Sequence, residues 1–139
     1  MSLVKADVNR VSAFAPATSA NLGVGFDILG LALDAVGDTV TLTKRDDNQI
    51  VIEKINSVTG LPLEPTKNTA SFAVQKMCED LGITTGFSLQ IDKGIAMGSG
   101  MGGSAASAVA AVVALNGFLS APISKERLVE FALYGEEIA

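Results

Sequence analysis

The sequence predicts an α+β fold, and three observations carry that prediction. The patterns appear in the order strands, helix, strand, helix, helix. The last two helical patterns follow one another directly, so regular βαβ alternation is not the expectation. With 139 residues, 48% of them hydrophobic and 18% charged, the chain has material for one packed domain and is a poor candidate for disorder.

Each element is read in turn. Val11 to Ala15 is a short apolar run closed by Pro16, read as a first strand. Pro16 to Gly25, made of small residues, is expected to be a loop. Asp27 to Leu33 alternates imperfectly and fits either a strand or a buried helical turn. Thr39 to Thr43 sets threonine against Val and Leu, which is strand chemistry. Asp46-Asp47-Asn48 is a turn signal and Ile50 to Ile55 a returning strand, so a hairpin is expected here. Gly60 to Pro65 reads as a loop.

Asn68 to Leu81 has the clearest helical period, with Ala70, Ala73, Val74, Met77, Cys78 and Leu81 on one face. Asn68 or Thr69 caps its start and Gly82 ends it. Cys78 on that apolar face is read as a core thiol, because no neighbour would lower its pKa. Phe87 to Asp92 is a strand with Phe87, Leu89 and Ile91 on one side. Ser104 to Leu119 is apolar almost all round, the pattern of a buried helix. Ser124 caps a last helix, whose inward stripe is Leu128, Phe131, Ala132, Gly135 and Ala139.

Composition removes several functions. The absence of His excludes the Ser-His-Asp triad and His-containing zinc sites, and a single Cys excludes internal disulfides. A net charge of −5 argues against a nucleic-acid partner. Asp7 and Arg10 interrupt any signal peptide. The low-charge stretch from Gly94 to Leu119 is rich in Gly, Ala and Ser and is not read as a membrane span. A lone thiol without a signal peptide fits a reducing, cytoplasmic location.

The most informative segment runs from Gly94 to Ser107, Gly-Ile-Ala-Met-Gly-Ser-Gly-Met-Gly-Gly-Ser-Ala-Ala-Ser, straight into a helix. Glycines let a backbone approach a ligand closely. A helix start offers unpaired N–H groups and a positive dipole end, so the pair makes an anion site. A Walker A loop is excluded because Gly103-Ser104 has no Lys. Gly98, Gly100 and Gly103 match a dinucleotide fingerprint literally, but the strand ends too early and the acidic ribose partner is missing. A protein-kinase glycine loop joins two strands, whereas this one opens a helix. Lys93, just before the segment, reads equally as extra charge for phosphate or as an exposed lysine after a strand.

These residues resemble the ATP-binding motif of the GHMP kinases, whose loop typically reads Pro-x-x-x-Gly-Leu-Gly-Ser-Ser-Ala. Ala96 stands at the Pro, Met101 at the Leu and Gly103 at the first Ser, while Ser104 keeps the second. Ala15-Pro-Ala-Thr-Ser-Ala-Asn-Leu-Gly-Val-Gly-Phe-Asp27, continued by Leu29 to Leu33, is similar to the first motif of the homoserine kinase branch. Glu136 matches an acidic position in that family.

The resemblance implies the N-terminal GHMP fold, related to the second domain of ribosomal protein S5. It implies ATP and Mg²⁺ as cofactors and L-homoserine as the acceptor. Asn68, Met97, Gly98, Ser99, Gly100, Met101, Gly102, Gly103, Ser104 and Ala105 would bind nucleotide, Ser104 and Glu136 the metal, and Asn21 and Asp27 the substrate. As a plain reading, Asn68 is equally a helix cap, Glu136 a surface acid, and Asn21 with Asp27 a turn-stabilising pair. No dedicated catalytic base is assigned. The expected domain assignment is 1–139 as an N-terminal ATP-binding domain without its C-terminal partner, inactive alone, and a homodimer at full length. The expected cost of that missing partner is an uncovered apolar face. Two alternatives stand beside it: a GHMP kinase acting on mevalonate or a sugar, and a non-catalytic nucleotide-binding half-domain.

Overall fold

The computed structural model describes residues 3–20, 30–56, 61, 63–95 and 103–136, and the side chains at 18–20, 30–35, 103, 104 and 136 lie outside that set. Four strands and three helices are present: β1 (Arg10–Ala20), β2 (Gly30–Arg45), β3 (Ile50–Asn56), α1 (Thr69–Leu81), β4 (Gly86–Asp92), α2 (Gly103–Asn116) and α3 (Lys125–Glu136). The α+β expectation holds.

The sheet order is β1-β2-β4-β3. Strand β2 pairs antiparallel with both β1 and β4, while β3 pairs parallel with β4. The expected hairpin between β2 and β3 is therefore wrong. Strand β4 inserts between them, and its first residues hold the turn: the Gly86 N–H donates to Asp47 O (3.1 Å) and the Phe87 N–H to Gln49 O (2.9 Å). The Arg45 guanidinium clamps the Asp47 carboxylate at 2.9 Å and donates to Ser88 Oγ on β4 at the same distance. That ion pair lowers the Asp47 carboxyl to about 2. Physically, β4 takes the middle place because Phe87, Leu89 and Ile91 are almost wholly buried. One parallel β3–α1–β4 unit thus sits in an otherwise antiparallel sheet.

Strand β1 runs on to Ala20, past the point where Pro16 was expected to close it. It is an edge strand, where proline is tolerated, and its register with β2 shifts between Pro16 and Ala17. The expected loop from Pro16 to Gly25 is strand as far as Ala20, and Gly30 to Leu33 belongs to β2.

The helices form one layer against the sheet. Val40, Leu42, Leu89 and Ile91 meet Val74, Met77 and Leu115 in one core. Small residues of α2 (Ala106, Ala108, Ala110, Ala111, Ala114) are buried and permit close approach of α1, α3 and the sheet. One face of α2 stays open, with Val109 and Val113 exposed, so that helix is not buried all round as its composition suggested. Val129, Leu133 and Tyr134 on α3 are exposed as well. Cys78 is in the core, as the sequence reading expected, and burial pushes its thiol up to about 12.

The caps are where the sequence placed them. Asn68 is the N-cap of α1, Gly82 closes the helix in the left-handed region (φ 74°), and the Arg127 N–H donates to Ser124 Oγ at the start of α3. No helix among the described residues is long and apolar enough to cross a membrane.

Candidate functional site

The three helices meet at Gly135, which joins the last turn of α3 to the start of α1 and the second turn of α2. A Cβ at Gly135 would fall 2.6 Å from Thr69 O and 3.0 Å from Ala108 Cβ, so hydrogen is all that fits. This contact joins residues far apart in sequence: Thr69, next to Asn68, at the start of α1, Ala108 one turn beyond Ser104 in α2, and Gly135, next to Glu136, in the last turn of α3.

The electrostatics of these ends are opposed. No acidic side chain stands in the first turn of α2, so its positive dipole end is not offset there. Helix α3 ends on Glu136 with no basic residue in its last turn. In general, a carboxylate at the negative end of a helix is unfavourable, and a cation nearby offsets it.

Asn68 is buried, and its side-chain oxygen accepts from the Ala70 N–H at 3.1 Å. The capping reading is therefore correct. Ala105 is half-buried inside α2. Helix α2 opens at Gly103, one residue before the expected start at Ser104, and the backbones alone of these two residues are described. The expected contacts of Asn21, Asp27, Met97, Gly98, Ser99, Gly100, Met101 and Gly102 fall outside the described residues.

Lys93 is not an exposed lysine. Its side chain is 5% exposed and forms an ion pair with Asp38, which is fully buried on β2. Lys93 Nζ also donates to Ser107 Oγ (3.0 Å), and that hydroxyl donates to Asp38 Oδ2 (2.8 Å). The other carboxylate oxygen accepts from the Gly94 N–H (2.9 Å) and the Ile95 N–H (3.2 Å). Sequence reasoning missed Asp38 and Ser107. A usable signal was there, since Asp38 alternates in phase with Val40 and Leu42 on the core-facing side of β2, where a charge requires partners.

The chain and its fold have counterparts among known proteins. The family model described as the GHMP kinases N terminal domain matches residues 68–139. Homoserine kinase of Xanthomonas campestris pv. campestris (strain B100) is 52% identical over 133 residues, covering 95% of this chain and 41% of that protein. Homoserine kinase of Xylella fastidiosa (strain M12) is 49% identical over 132 residues, covering 94% and 41% respectively. The crystal structure of homoserine kinase from Cytophaga hutchinsonii superimposes with a TM-score of 0.90 at 39% identity, over 97% of this chain and 43% of that one. The chain thus spans about two fifths of the length of the curated relatives it matches. The glycine-rich approach to α2, the four-stranded sheet beneath it and a family match over more than half of the residues lead to one assignment: the chain belongs to the GHMP kinases, as their N-terminal domain.

Proposed function

We propose that this chain is the nucleotide-binding part of a kinase that transfers the γ-phosphoryl group of ATP to the hydroxyl of L-homoserine, giving O-phospho-L-homoserine and ADP. The observation that carries the reading is the glycine-rich segment that opens α2, a helix whose second turn meets the start of α1 and the last turn of α3 at Gly135. Relatives named as homoserine kinases support the choice of acceptor.

In this reading, backbone N–H groups from Met97 to Ala105 and the start of α2 hold the ATP phosphates, and Asn68 lies near the adenine while capping α1. A serine hydroxyl and a carboxylate are hard oxygen donors, and Mg²⁺ takes few protein ligands beside phosphate and water. Ser104 and Glu136 fit that requirement and would hold the ion. Bound there, Mg²⁺ supplies charge neutralisation to the β- and γ-phosphates. Asn21 hydrogen-bonds the acceptor and Asp27 pairs with its ammonium group. The homoserine oxygen bonds to the γ-phosphorus as the bond to the β–γ bridging oxygen breaks. ADP leaves with that electron pair, and the hydroxyl proton passes to solvent without a dedicated base. Residues 1–139 are the N-terminal domain, and a second domain completes the acceptor site.

The test is ADP release with a panel of acceptors, measured on the protein at the full length of its reading frame. Homoserine should be turned over with much the highest kcat/KM. Turnover of homoserine no better than that of mevalonate overturns the assignment.

A further inference from the structure

Asp38 is the least expected charged residue in the fold. It is fully buried on β2, and each carboxylate oxygen accepts two hydrogen bonds. A buried carboxylate is costly unless it is paired and hydrogen-bonded, and Lys93 supplies the opposite charge. The origin of its donors is what matters. Lys93, Gly94 and Ile95 stand at the upstream root of the glycine-rich segment, and Ser107 stands at its downstream root inside α2. Among the described residues, no donor to this carboxylate comes from anywhere else in the fold.

The backbone at the upstream root is equally constrained. A Cβ on Gly94 would sit 1.9 Å from the carbonyl oxygen of Gly37, the residue before Asp38. The chain leaving β4 therefore lies directly on the backbone of β2, where the Asp38 carboxylate receives its amides.

We propose that Asp38 is a positioning residue for the glycine-rich segment. One buried carboxylate fastens both roots of the segment and sets the separation across which its backbone receives nucleotide phosphates. The first half of this inference depends only on the hydrogen bonds above. The second half rests on the nucleotide reading of the previous section.

Removing Asp38 itself leaves Lys93 buried without its counter-charge and invites misfolding, so Ser107 is the better handle. Ser107→Ala removes the link to the downstream root and leaves the Asp38–Lys93 pair intact. Ser107→Thr keeps the hydroxyl. Amide hydrogen exchange is read in the unliganded protein, and Mg·ATP binding is read by calorimetry. Losing one hydrogen bond to a charged group corresponds to about a tenfold effect. Ser107→Ala should accelerate exchange at the Gly94 and Ile95 amides by about that factor while α1 keeps its protection. It should also weaken Mg·ATP by a similar factor, and Ser107→Thr should restore both. Unchanged exchange at Gly94 and Ile95, or an equal acceleration throughout α1, overturns the positioning role. If the unsubstituted protein binds no Mg·ATP while the exchange result holds, Asp38 still fastens the segment and the nucleotide reading is what falls.

Discussion

Gly135 lies so close to Thr69 that a Cβ on it would meet the Thr69 carbonyl oxygen at 2.6 Å. This contact seats the last turn of α3 on the start of α1 and beside Ala108 of α2. Gly135→Ala should push α3 outward. Overpacking of this kind costs about 1–3 kcal/mol, read as a lower urea midpoint with an unchanged m-value. In the proposed kinase, Mg·ATP binding should weaken as well, because Glu136 moves with the turn.

Glu136 ends α3 against the helix dipole. Glu136→Gln should therefore stabilise the unliganded protein slightly, by about 0.3–1 kcal/mol at low salt. It should also raise the Mg²⁺ concentration needed for nucleotide binding. The opposite signs of the two effects, one from thermal melting and one from calorimetry, separate a metal ligand from an ordinary surface acid.

Asn68 is shown to cap α1, and its proposed contact with adenine is a separate matter. Asn68→Ala should cost about 1 kcal/mol of stability through the lost bond to the Ala70 N–H. Asn68→Asp keeps a capping oxygen and should retain most of that stability. If the carboxamide also meets the base, Asn68→Asp should still weaken ATP binding. Equal ATP affinity in this variant limits Asn68 to its cap.

Burial raises the Cys78 thiol, with a smaller push from Glu79. The folded protein holds this proton more tightly than the unfolded chain does. The resulting stability is fully present below about 8.5, where a free thiol ionises, and is lost as pH rises toward about 12. At neutral pH, Cys78 should react with thiol reagents only at the rate of unfolding. Fast labelling of the native protein would contradict its place in the core.

Local signals in the sequence carried much of the fold. Helices α1 and α3 were legible because Asn68, Gly82 and Ser124 mark their ends and the 3.6-residue period marks their faces. The sheet order was not legible. A short turn at Asp46 to Asn48 suggests a hairpin locally, and only the burial of β4 decides that it enters between β2 and β3. The glycine-rich segment and the start of α2 were legible from composition. The carboxylate that fastens them was only half legible: alternation with Val40 and Leu42 marks Asp38 as inward-facing, but its partners Lys93 and Ser107 lie 55 and 69 residues away. No periodicity links such positions. Glu136 was found through family resemblance, whereas the approach of its neighbour Gly135 to Thr69 of α1 appears only in three dimensions.

Phosphorus NMR of the full-length protein with Mg·ATP and L-homoserine tests the central claim most directly. The account predicts a growing phosphate monoester resonance, equal in amount to the ADP formed and absent when homoserine is omitted. ATP left unchanged, or ADP appearing with inorganic phosphate in place of the ester, would contradict it.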